Sequence, residues 1–472
     1  MLFGVVTGPS IKIAEEEIFS QLEWIDAVEF RLDLFIDLDL IQLKSLLKKL
    51  PIPTLFTLRR KDQGGGFAQP EKTRLLFIKE LCQLQPDFFD LEYDISPSFR
   101  KKLFLSNPKI RFIASYHNFE RFPKLDPVLC SLFTPHAHFY KIAVHCSSSI
   151  EALQLLILSK KYTNLITIGL GEKAQFTRLL APILDMPFSY VALKSQTAPG
   201  QLKLKDLQLY RFSTLNSTTA IYALLGDPID TSLSPLVHNA VFSAQKKNAL
   251  YCKIPCTKKE LTECLNLIQQ LPFKGLSITM PLKEKTAAIT HCLQTAINTL
   301  VIDSKITSFN TDGIGAIQAL EKKTTLFKKK IVLFGAGGVA QAIAREAIEK
   351  GAFITFINRT REKAIQLAKI YRCRGGGIEF FPLYYDILVN CTPNSDCIQS
   401  EWICPNCIAM DTVYQPHWTE FLKKASLKNC KLVFGKELFI NQAVQQQRLW
   451  GSSLSEIELE QLIAQAISKS II

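Results

Sequence analysis

The sequence contains no uninterrupted apolar run of the roughly 18 residues that a membrane-spanning helix needs. Its N-terminal stretch, MLFGVVTGPSIKIAEEE, lacks the basic segment that begins a secretory signal peptide and soon turns acidic. Thirteen scattered cysteines, an odd number, suit a reducing compartment better than a disulfide framework. We therefore expect a cytoplasmic protein without a membrane partner.

Long runs of one charge sign are also missing. The net charge is +13, yet the densest basic cluster is only KKK at 328–330, and no basic arm or nucleic-acid-binding motif is found. A diffuse positive field suits small anionic substrates, so we predict no nucleic-acid partner. Cys404-Pro-Asn-Cys407, with Cys397 upstream, has no second ligand pair at the spacing of a zinc site, and we predict no metal.

What is present is a long chain with ordinary globular composition. Its 472 residues are 47% hydrophobic and 21% charged, which predicts roughly two to four domains. Residues 1–205 contain eight short apolar runs: LFGVVT, AVEFRLD, PTLFTLRR, FFDLEYD, RFIASYHNF, FYKIAV, NLITIGL and FSYVAL. Helical segments alternate with them, which indicates parallel strands joined by crossover helices. Eight such units predict a (β/α)₈ barrel, with an open doubly wound sheet as the alternative.

Charged residues end several of these strands, where a barrel of this kind carries its chemistry. Glu29 and Arg31 share one face of strand two, Arg59 ends strand three, His117 ends strand five, and Lys141 interrupts the apolar strand FYKIAVHC. A lysine in a strand can snorkel to water, or it can lie desolvated as an amine nucleophile. Together with a histidine acid/base and carboxylate-binding arginines, it suits removal of a proton next to a ketone.

Five motifs of this half resemble type I 3-dehydroquinate dehydratase over roughly residues 1–205. They are ExRxD at 29–33, LRRKDQGG around Arg59, SYHNF, YKIAV and TAPGQ at 197–201. The resemblance implies a Schiff base between Lys141 and the C3 ketone of the substrate. It also implies that His117 removes a C2 proton and then protonates the departing hydroxyl.

The same resemblance implies the residues that hold the substrate. Ring hydroxyls would be bound by Glu29, Arg31 and Arg59, and the carboxylate by Arg178, Thr197 and Gln201. Two positions depart from the family pattern. Gln63 stands where an acid usually helps to orient the histidine, and Thr197 stands where a serine is usual.

The second half has a different pattern, which begins after a patternless segment at 206–218 that we interpret as a linker. Residues 330–360 read as strand, GxGxxA turn, helix and second strand, the context that a dinucleotide-binding Rossmann fold requires. The second strand ends in Asn-Arg-Thr at 358–360 and lacks the usual acid, which favours a 2′-phosphate and hence NADP. Upstream, Ser-x-Ser-Pro at 232–235 is either an anion site or an ordinary helix cap.

The motifs GDPIDTSLSP, SITMPLKEK, INT, NTDG, GAGGVA and NRT resemble shikimate dehydrogenase over about residues 219–472. The resemblance implies Lys283 and Asp312 as the catalytic pair, although each could be a loop residue in solvent. It implies substrate contacts from Ser232, Ser234, Ser277, Thr279, Asn298, Tyr414 and Gln442. It implies NADP contacts from Gly335, Ala336, Gly337, Gly338, Val339, Ala340, Asn358, Arg359, Thr360 and Gly435. Ser277 stands where many members have asparagine, and Lys363 lies near the place of a second phosphate-binding arginine.

The predicted architecture is α/β throughout, in the following order. Residues 1–205 form the barrel, 206–218 a linker, 219–322 a substrate-binding domain, 323–436 a Rossmann NADP domain, and 437–472 helices returning to the substrate domain. The two resemblances cover consecutive reactions, so we expect a bifunctional shikimate-pathway enzyme acting on 3-dehydroquinate and 3-dehydroshikimate. The alternatives are a quinate dehydrogenase with a decayed barrel and a non-catalytic metabolite sensor.

Overall fold

The computed structural model describes residues 1–196 and 198–469. The chain forms two compact units. The first contains Met1–Ala220, Asn248–Cys256 and Thr262–Pro272, and the second contains Ile221–Lys247, Thr257–Leu261 and Phe273–Ile472. Within the described residues, no helix combines the length and apolarity that crossing a bilayer requires.

The first unit is built on the predicted barrel, because each of the eight apolar runs contains one strand. The strands are β1 (Leu2–Val6), β2 (Ala27–Arg31), β3 (Thr54–Thr57), β4 (Phe88–Glu92), β5 (Arg111–Asn118), β6 (Phe139–His145), β7 (Leu165–Leu170) and β8 (Ser189–Ala192), followed by the short β9 (Leu202–Lys203). All pair in parallel in the order β7-β6-β5-β4-β3-β2-β1-β8-β9. No backbone ladder joins β7 to β8 in the described part of the chain, so the barrel has a seam there.

Helices connect the strands as crossover elements. They are α1 (Ile11–Ser20), α2 (Leu40–Lys49), α3 (Glu71–Cys82), α4 (Pro97–Ser106), α5 (Leu125–Leu132), α6 (Ser149–Ser159), α7 (Phe176–Leu180) and α8 (Leu204–Leu209). Helix α8 lies at the predicted 206–218 linker, where Leu207 and Phe212 are buried. That segment therefore packs into the first unit and is not an exposed connection.

The interior of the barrel is layered by strand alternation. Nine buried residues form its apolar layer: Phe3, Val5, Ala27, Leu55, Phe88, Ile113, Ile166, Phe188 and Tyr190. Residues two positions further along the same strands face the same interior. Those positions are polar on five consecutive strands, where they are Glu29, Thr57, Asp90, Ser115 and Lys141. A layer of polar side chains therefore lies next to the apolar layer inside the barrel.

The first unit also contains β11 (Ala249–Pro255) and most of α10 (Leu261–Ile268). The sequence interpretation placed both in the 219–322 domain, and the domain boundaries remain predictions. In the second unit, strands lie in the order β10 (Ala220–Gly226), β12 (Phe273–Ile278), β13 (Thr299–Ile302) and β14 (Ile306–Phe309). Strands β10 and β12 are parallel, and the β12-β13-β14 pairs are antiparallel.

A second sheet of this unit has six parallel strands in the order β17-β16-β15-β18-β19-β20. Their bounds are β15 (Lys330–Phe334), β16 (Phe353–Ile357), β17 (Arg374–Gly376), β18 (Ile387–Asn390), β19 (Ile408–Asp411) and β20 (Lys431–Val433). This 3-2-1-4-5-6 order is that of the Rossmann fold.

The helices of the second unit are α9 (Ser234–Ala244), α11 (Lys283–Ile289), α12 (Thr311–Glu321), α13 (Gly338–Glu349), α14 (Arg361–Tyr371), α15 (Glu420–Leu427), α16 (Gly435–Leu449) and α17 (Glu456–Lys469). Apolar residues of α16 and α17 share one core cluster with Val237 and Val241 of α9. The C-terminal helices therefore pack on the segment that carries Ser232 and Ser234.

Candidate active sites

Lys141 lies in the polar layer of the barrel, and its side chain is only 3% exposed. It is ion-paired with Asp90. Asp90 also accepts a hydrogen bond from Ser115 Oγ at 2.5 Å and forms an ion pair with Arg59 Nη2 at 3.3 Å. Burial alone would raise the pKa of the Asp90 carboxyl, but the charges of Lys141 and Arg59 lower it below its usual value. The lysine therefore does not snorkel to water. Its neighbours include the Asp90 carboxylate as well as the cation Arg59.

His117 is fully buried above this layer. Its backbone N–H donates to Gln63 Oε1 at 3.0 Å, and its ring Nδ1 has no hydrogen-bond partner in the described part of the chain. Burial and the positive charges of Arg59, Lys141 and Arg31 lower the pKa of the imidazole well below 6.5. The ring is therefore neutral at pH 7 and able to accept a proton.

The Gln63 contact differs from the role of the family acid at this position. The amide oxygen holds the backbone of the histidine and makes no hydrogen bond with its ring. The ring orientation is consequently set by packing and by whatever binds in the cavity.

Two further side chains of β2 are held in place by neighbours. Glu29 accepts a hydrogen bond from Thr57 Oγ1 at 2.6 Å. Arg31 makes a two-pronged ion pair with Asp33, through Nε at 3.0 Å and Nη2 at 2.8 Å. Such second contacts fix a side chain before a ligand arrives.

Arg178, on α7, has no carboxylate within ion-pairing distance among the residues the structure describes. Its Nη1 donates to Gly169 O at 2.6 Å, and its Nη2 donates to Pro199 O at 3.5 Å. Burial lowers the pKa of the guanidinium to about 10. A buried cation without a countercharge is suited to a ligand carboxylate.

One small cavity, about 50 Å³ in volume, joins these groups. Its lining includes the predicted residues Glu29, Arg31, Arg59, His117, Lys141, Arg178 and Gln201. Thr197 lies outside the described residues. The cavity opens at the carboxyl ends of the strands, where barrel enzymes place their chemistry.

A second cavity, of about 430 Å³, lies in the second unit. Lys283 Nζ and Asp312 Oδ2 are 2.5 Å apart in it, and Asn298 Nδ2 donates to Asp312 Oδ1 at 2.8 Å. Lys283 begins α11 and Asp312 is the second residue of α12, so the pair joins two helix starts. The cavity is also lined by the predicted residues Ser232, Ser234, Ser277, Thr279, Tyr414, Gly435 and Gln442.

The Rossmann turn borders this cavity through Val339. Gly335 has φ +123°, in the region that L side chains rarely adopt, and a Cβ there would approach Thr392 Cγ2 to 3.1 Å. A Cβ at Gly337 would meet nothing within 4 Å, so the turn has open space for a ligand. Helix α13 begins here at Gly338 and offers backbone N–H groups to an anion.

The end of strand β16 carries the predicted phosphate-binding residues. Asn358 Nδ2 donates to Thr360 O at 2.9 Å, which shapes the turn after the strand. Arg359 and Lys363 are exposed, and neither forms an ion pair with a described residue. Two uncommitted cations beside a glycine turn fit a dinucleotide that carries an extra phosphate.

Known families match both halves of the chain. Residues 2–217 match type I 3-dehydroquinase, residues 224–300 match the shikimate dehydrogenase substrate binding domain, and residues 318–400 match shikimate/quinate 5-dehydrogenase. The shikimate biosynthesis protein AroDE of Chlamydia pneumoniae is 35% identical over 95% of both chains. The chain belongs to the bifunctional dehydroquinate dehydratase/shikimate dehydrogenase family.

Other relatives of this bifunctional enzyme match either most of its chain or about half of it. The chloroplastic bifunctional 3-dehydroquinate dehydratase/shikimate dehydrogenase of Arabidopsis thaliana is 30% identical over 89% of this chain and 77% of its own length. A shikimate dehydrogenase (NADP(+)) of Pyrococcus furiosus is 34% identical over 53% of this chain and 97% of its own length. Among solved structures, the dehydroquinate dehydratase and shikimate dehydrogenase from S. pombe AroM is 21% identical over 98% of both chains, with a TM-score of 0.42.

Sequence reasoning missed two residues of the bifunctional enzyme's sites. Asp90 has no role in the sequence interpretation, although its place two residues after Phe88 puts it on the interior face. Gln446 lines the larger cavity, where its Oε1 accepts from Ser277 Oγ at 3.1 Å and its Nε2 donates to Thr299 Oγ1 at 3.0 Å. Its spacing of four from Gln442 on one helix was the available signal.

The cysteines around Cys404 and Cys407 lie outside the two sites. Cys407 and Cys430 have their sulfurs 3.5 Å apart, while Cys404 Sγ is directed to Leu383 O. Within the described residues, no group of three or more His, Cys, Asp or Glu side chains is arranged to hold a metal ion.

Proposed function

We propose that this chain catalyses two consecutive reactions. Its first unit dehydrates 3-dehydroquinate to 3-dehydroshikimate through a lysine Schiff base, and its second unit reduces that product to shikimate with NADPH. The observation that carries this proposal is that each cavity holds a complete reacting pair. Lys141 and a neutral His117 share one cavity, and Lys283 and Asp312 share the other.

In the dehydratase reaction, the unprotonated Lys141 amine attacks the C3 ketone and forms a C–N bond. The adduct takes up one proton from solvent and loses its oxygen as water, which leaves a positively charged imine. That imine withdraws electrons and acidifies the neighbouring C2 hydrogen, which neutral His117 accepts. His117 then returns a proton to the departing hydroxyl. Asp90 remains beside the lysine nitrogen and stabilises its positive charge in both the ammonium and the imine forms.

Substrate binding in the barrel uses arginine side chains and the Glu29 carboxylate, which neighbouring residues hold in place. Arg178, a buried cation without a countercharge among the described residues, binds the substrate carboxylate together with Gln201 and Thr197. Glu29, Arg31 and Arg59 bind ring hydroxyls. Fixing the ring at both ends aligns C2 and C3 with the histidine and the lysine.

In the dehydrogenase reaction, NADPH supplies hydride to the C3 ketone when it is bound. Lys283 donates a proton to the oxygen that gains charge, and Asp312 holds the ammonium in place at 2.5 Å. The glycine turn at 335–340 would hold the pyrophosphate, Gly435 would contact the nicotinamide end, and Arg359 and Lys363 would bind the 2′-phosphate.

We also propose a cytoplasmic location, small-molecule substrates, and no nucleic-acid or membrane partner. The cysteines of the described residues form no disulfide, which supports a reducing compartment. The positive charge is spread along the sequence without a binding arm, which supports small anions over nucleic acid.

The test uses the full chain with dehydroquinate and NADPH, following enone absorbance and NADPH loss together. Borohydride added with dehydroquinate should trap an adduct at Lys141, located by mass spectrometry. Lys141→Ala should abolish trapping and dehydration but keep reduction of dehydroshikimate, whereas exposed Lys161→Ala should keep both reactions. Trapping at another lysine, or dehydration by Lys141→Ala, would contradict the proposal.

A further inference from the structure

Tyr190 carries the one hydroxyl group in the apolar layer of the barrel. Its ring stacks on Phe3 with centroids 5.6 Å apart and planes 19° from parallel. The residue is 7% exposed and lines the cavity that contains Lys141. Its hydroxyl is buried, and it has no hydrogen-bond partner among the residues the structure describes.

Packing alone does not explain this oxygen. The other eight members of the layer are aliphatic or phenylalanine, so a phenylalanine would fill the position equally well. A buried hydroxyl without a partner destabilises a fold. Groups that destabilise the free protein concentrate at sites where a ligand completes them.

The ring of Tyr190 lies beside the reacting lysine. Lys141 Nζ lies 5.0 Å from the centroid of the ring. Burial and the negative charges of Glu29 and Asp90 raise the pKa of the phenol well above 10. The group therefore remains an O–H donor throughout the working pH range.

Nearby hydroxyl donors are already engaged. Ser115 Oγ donates to Asp90, and Thr57 Oγ1 donates to Glu29. The oxygen on C3 develops negative charge as the amine attacks, and it needs a donor close to the lysine nitrogen.

We propose that the Tyr190 hydroxyl is a further catalytic residue of the dehydratase, which donates a hydrogen bond to the substrate oxygen on the carbon that Lys141 attacks. The inference rests on the proposed Schiff-base function. As the C–N bond forms, the carbonyl electron pair moves onto this oxygen. The phenol keeps its own proton and stabilises that charge.

Tyr190→Phe in the full chain removes only the oxygen. One neutral hydrogen bond corresponds to roughly a 2- to 12-fold loss of dehydratase kcat/KM. The rate of borohydride-trappable adduct formation in a single turnover should fall by the same factor, with the adduct still on Lys141. The barrel should become more heat-stable by about 2–4 °C, because the buried hydroxyl is gone. Reduction of dehydroshikimate should not change.

Tyr140→Phe is the matched control, because Tyr140 lies on the same strand as Lys141 but its hydroxyl donates to Thr134 O at 3.0 Å. It should leave trapping unchanged and lower stability. An unchanged trapping rate in Tyr190→Phe, a stability loss like that of the control, or failure to fold would overturn the proposal. Failure of the parent enzyme to be trapped at Lys141 would instead refute the Schiff-base function itself.

Discussion

Replacing Asp90 by asparagine tests how the barrel tolerates a charged layer in its interior. The substitution keeps the shape of the side chain and removes its charge. Lys141 and Arg59 would then face an uncharged amide, with side chains only 3% and 6% exposed. Water can do little to compensate charges so deeply buried.

The expected loss follows from this burial. Removing one partner of a buried ion pair destabilises a protein by about 3–5 kcal/mol. For a unit of this size, each kcal/mol shifts the melting temperature by roughly 2–4 °C, so the barrel should melt roughly 6–20 °C earlier. The pKa of Asp90 is lowered by folding, so its stabilising effect is present above about pH 4 and is lost as pH falls through the folded value. Below that pH the variant and the parent should converge.

Hydrogen exchange of barrel peptides during thermal or urea unfolding measures this loss separately from the second unit. Asp62→Asn is the control, since Asp62 pairs with Arg60 at 3.2 Å but its side chain is 66% exposed. A surface pair of this kind contributes about 0–1 kcal/mol. Adding Lys141→Met to Asp90→Asn should restore part of the stability, because it removes a stranded charge. Equal stability of Asp90→Asn and Asp62→Asn would refute the reasoning.

Three further predictions concern activity. The pKa of His117 lies well below 6.5, so the acid limb of the pH profile of dehydratase kcat/KM should lie below pH 6.5. Gln63→Glu should move this limb to higher pH by adding a negative charge near the histidine, and an unmoved limb would contradict this. Arg359→Ala should raise the KM for NADPH by roughly 10- to 150-fold, the effect of one charged hydrogen bond, with little change for NADH. Arg361→Ala should do neither, and an equal loss with both cofactors would mean that Arg359 supports the fold. Gln446→Leu should raise the KM for dehydroshikimate by roughly 2- to 12-fold through a lost neutral hydrogen bond, and a change in dehydration would speak against that role.

The barrel and most lining residues were accessible from the sequence for one physical reason. In a parallel barrel the strand ends converge, so polar residues at the ends of apolar runs must meet. Lys141 and His117 follow from that rule, whereas Arg178, on α7, was expected only from the family resemblance. The Rossmann sheet was equally accessible, because its glycine turn has a fixed place between a strand and a helix.

Contacts that depend on register across the barrel were not accessible. Asp90 and Lys141 lie on strands β4 and β6, which are separated by β5, and only the stagger of three strands brings them into one layer. Tyr190 reads in sequence as an ordinary core aromatic, because nothing local distinguishes a satisfied hydroxyl from an unsatisfied one. The segment at 206–218 has no periodic pattern, yet the burial of Leu207 and Phe212 holds it in place.

The seam between β7 and β8 affects how the evolution of this enzyme is to be read. Arg178 donates to Gly169 at the end of one strand and to Pro199 in the loop after the other, and so links two strands that share no backbone ladder in the part of the chain the structure describes. A descendant that no longer dehydrates anything would still gain from this arginine, which adds side-chain hydrogen bonds to the backbone bond from Gly171 N–H to Pro199 O at 3.1 Å. The His117 ring, with an unsatisfied Nδ1, carries no such duty. When selection for dehydration is relaxed, we expect His117 to be substituted first and Arg178 to persist. The presence of the arginine in a relative is therefore weak evidence of dehydratase activity, and the presence of the histidine is strong evidence.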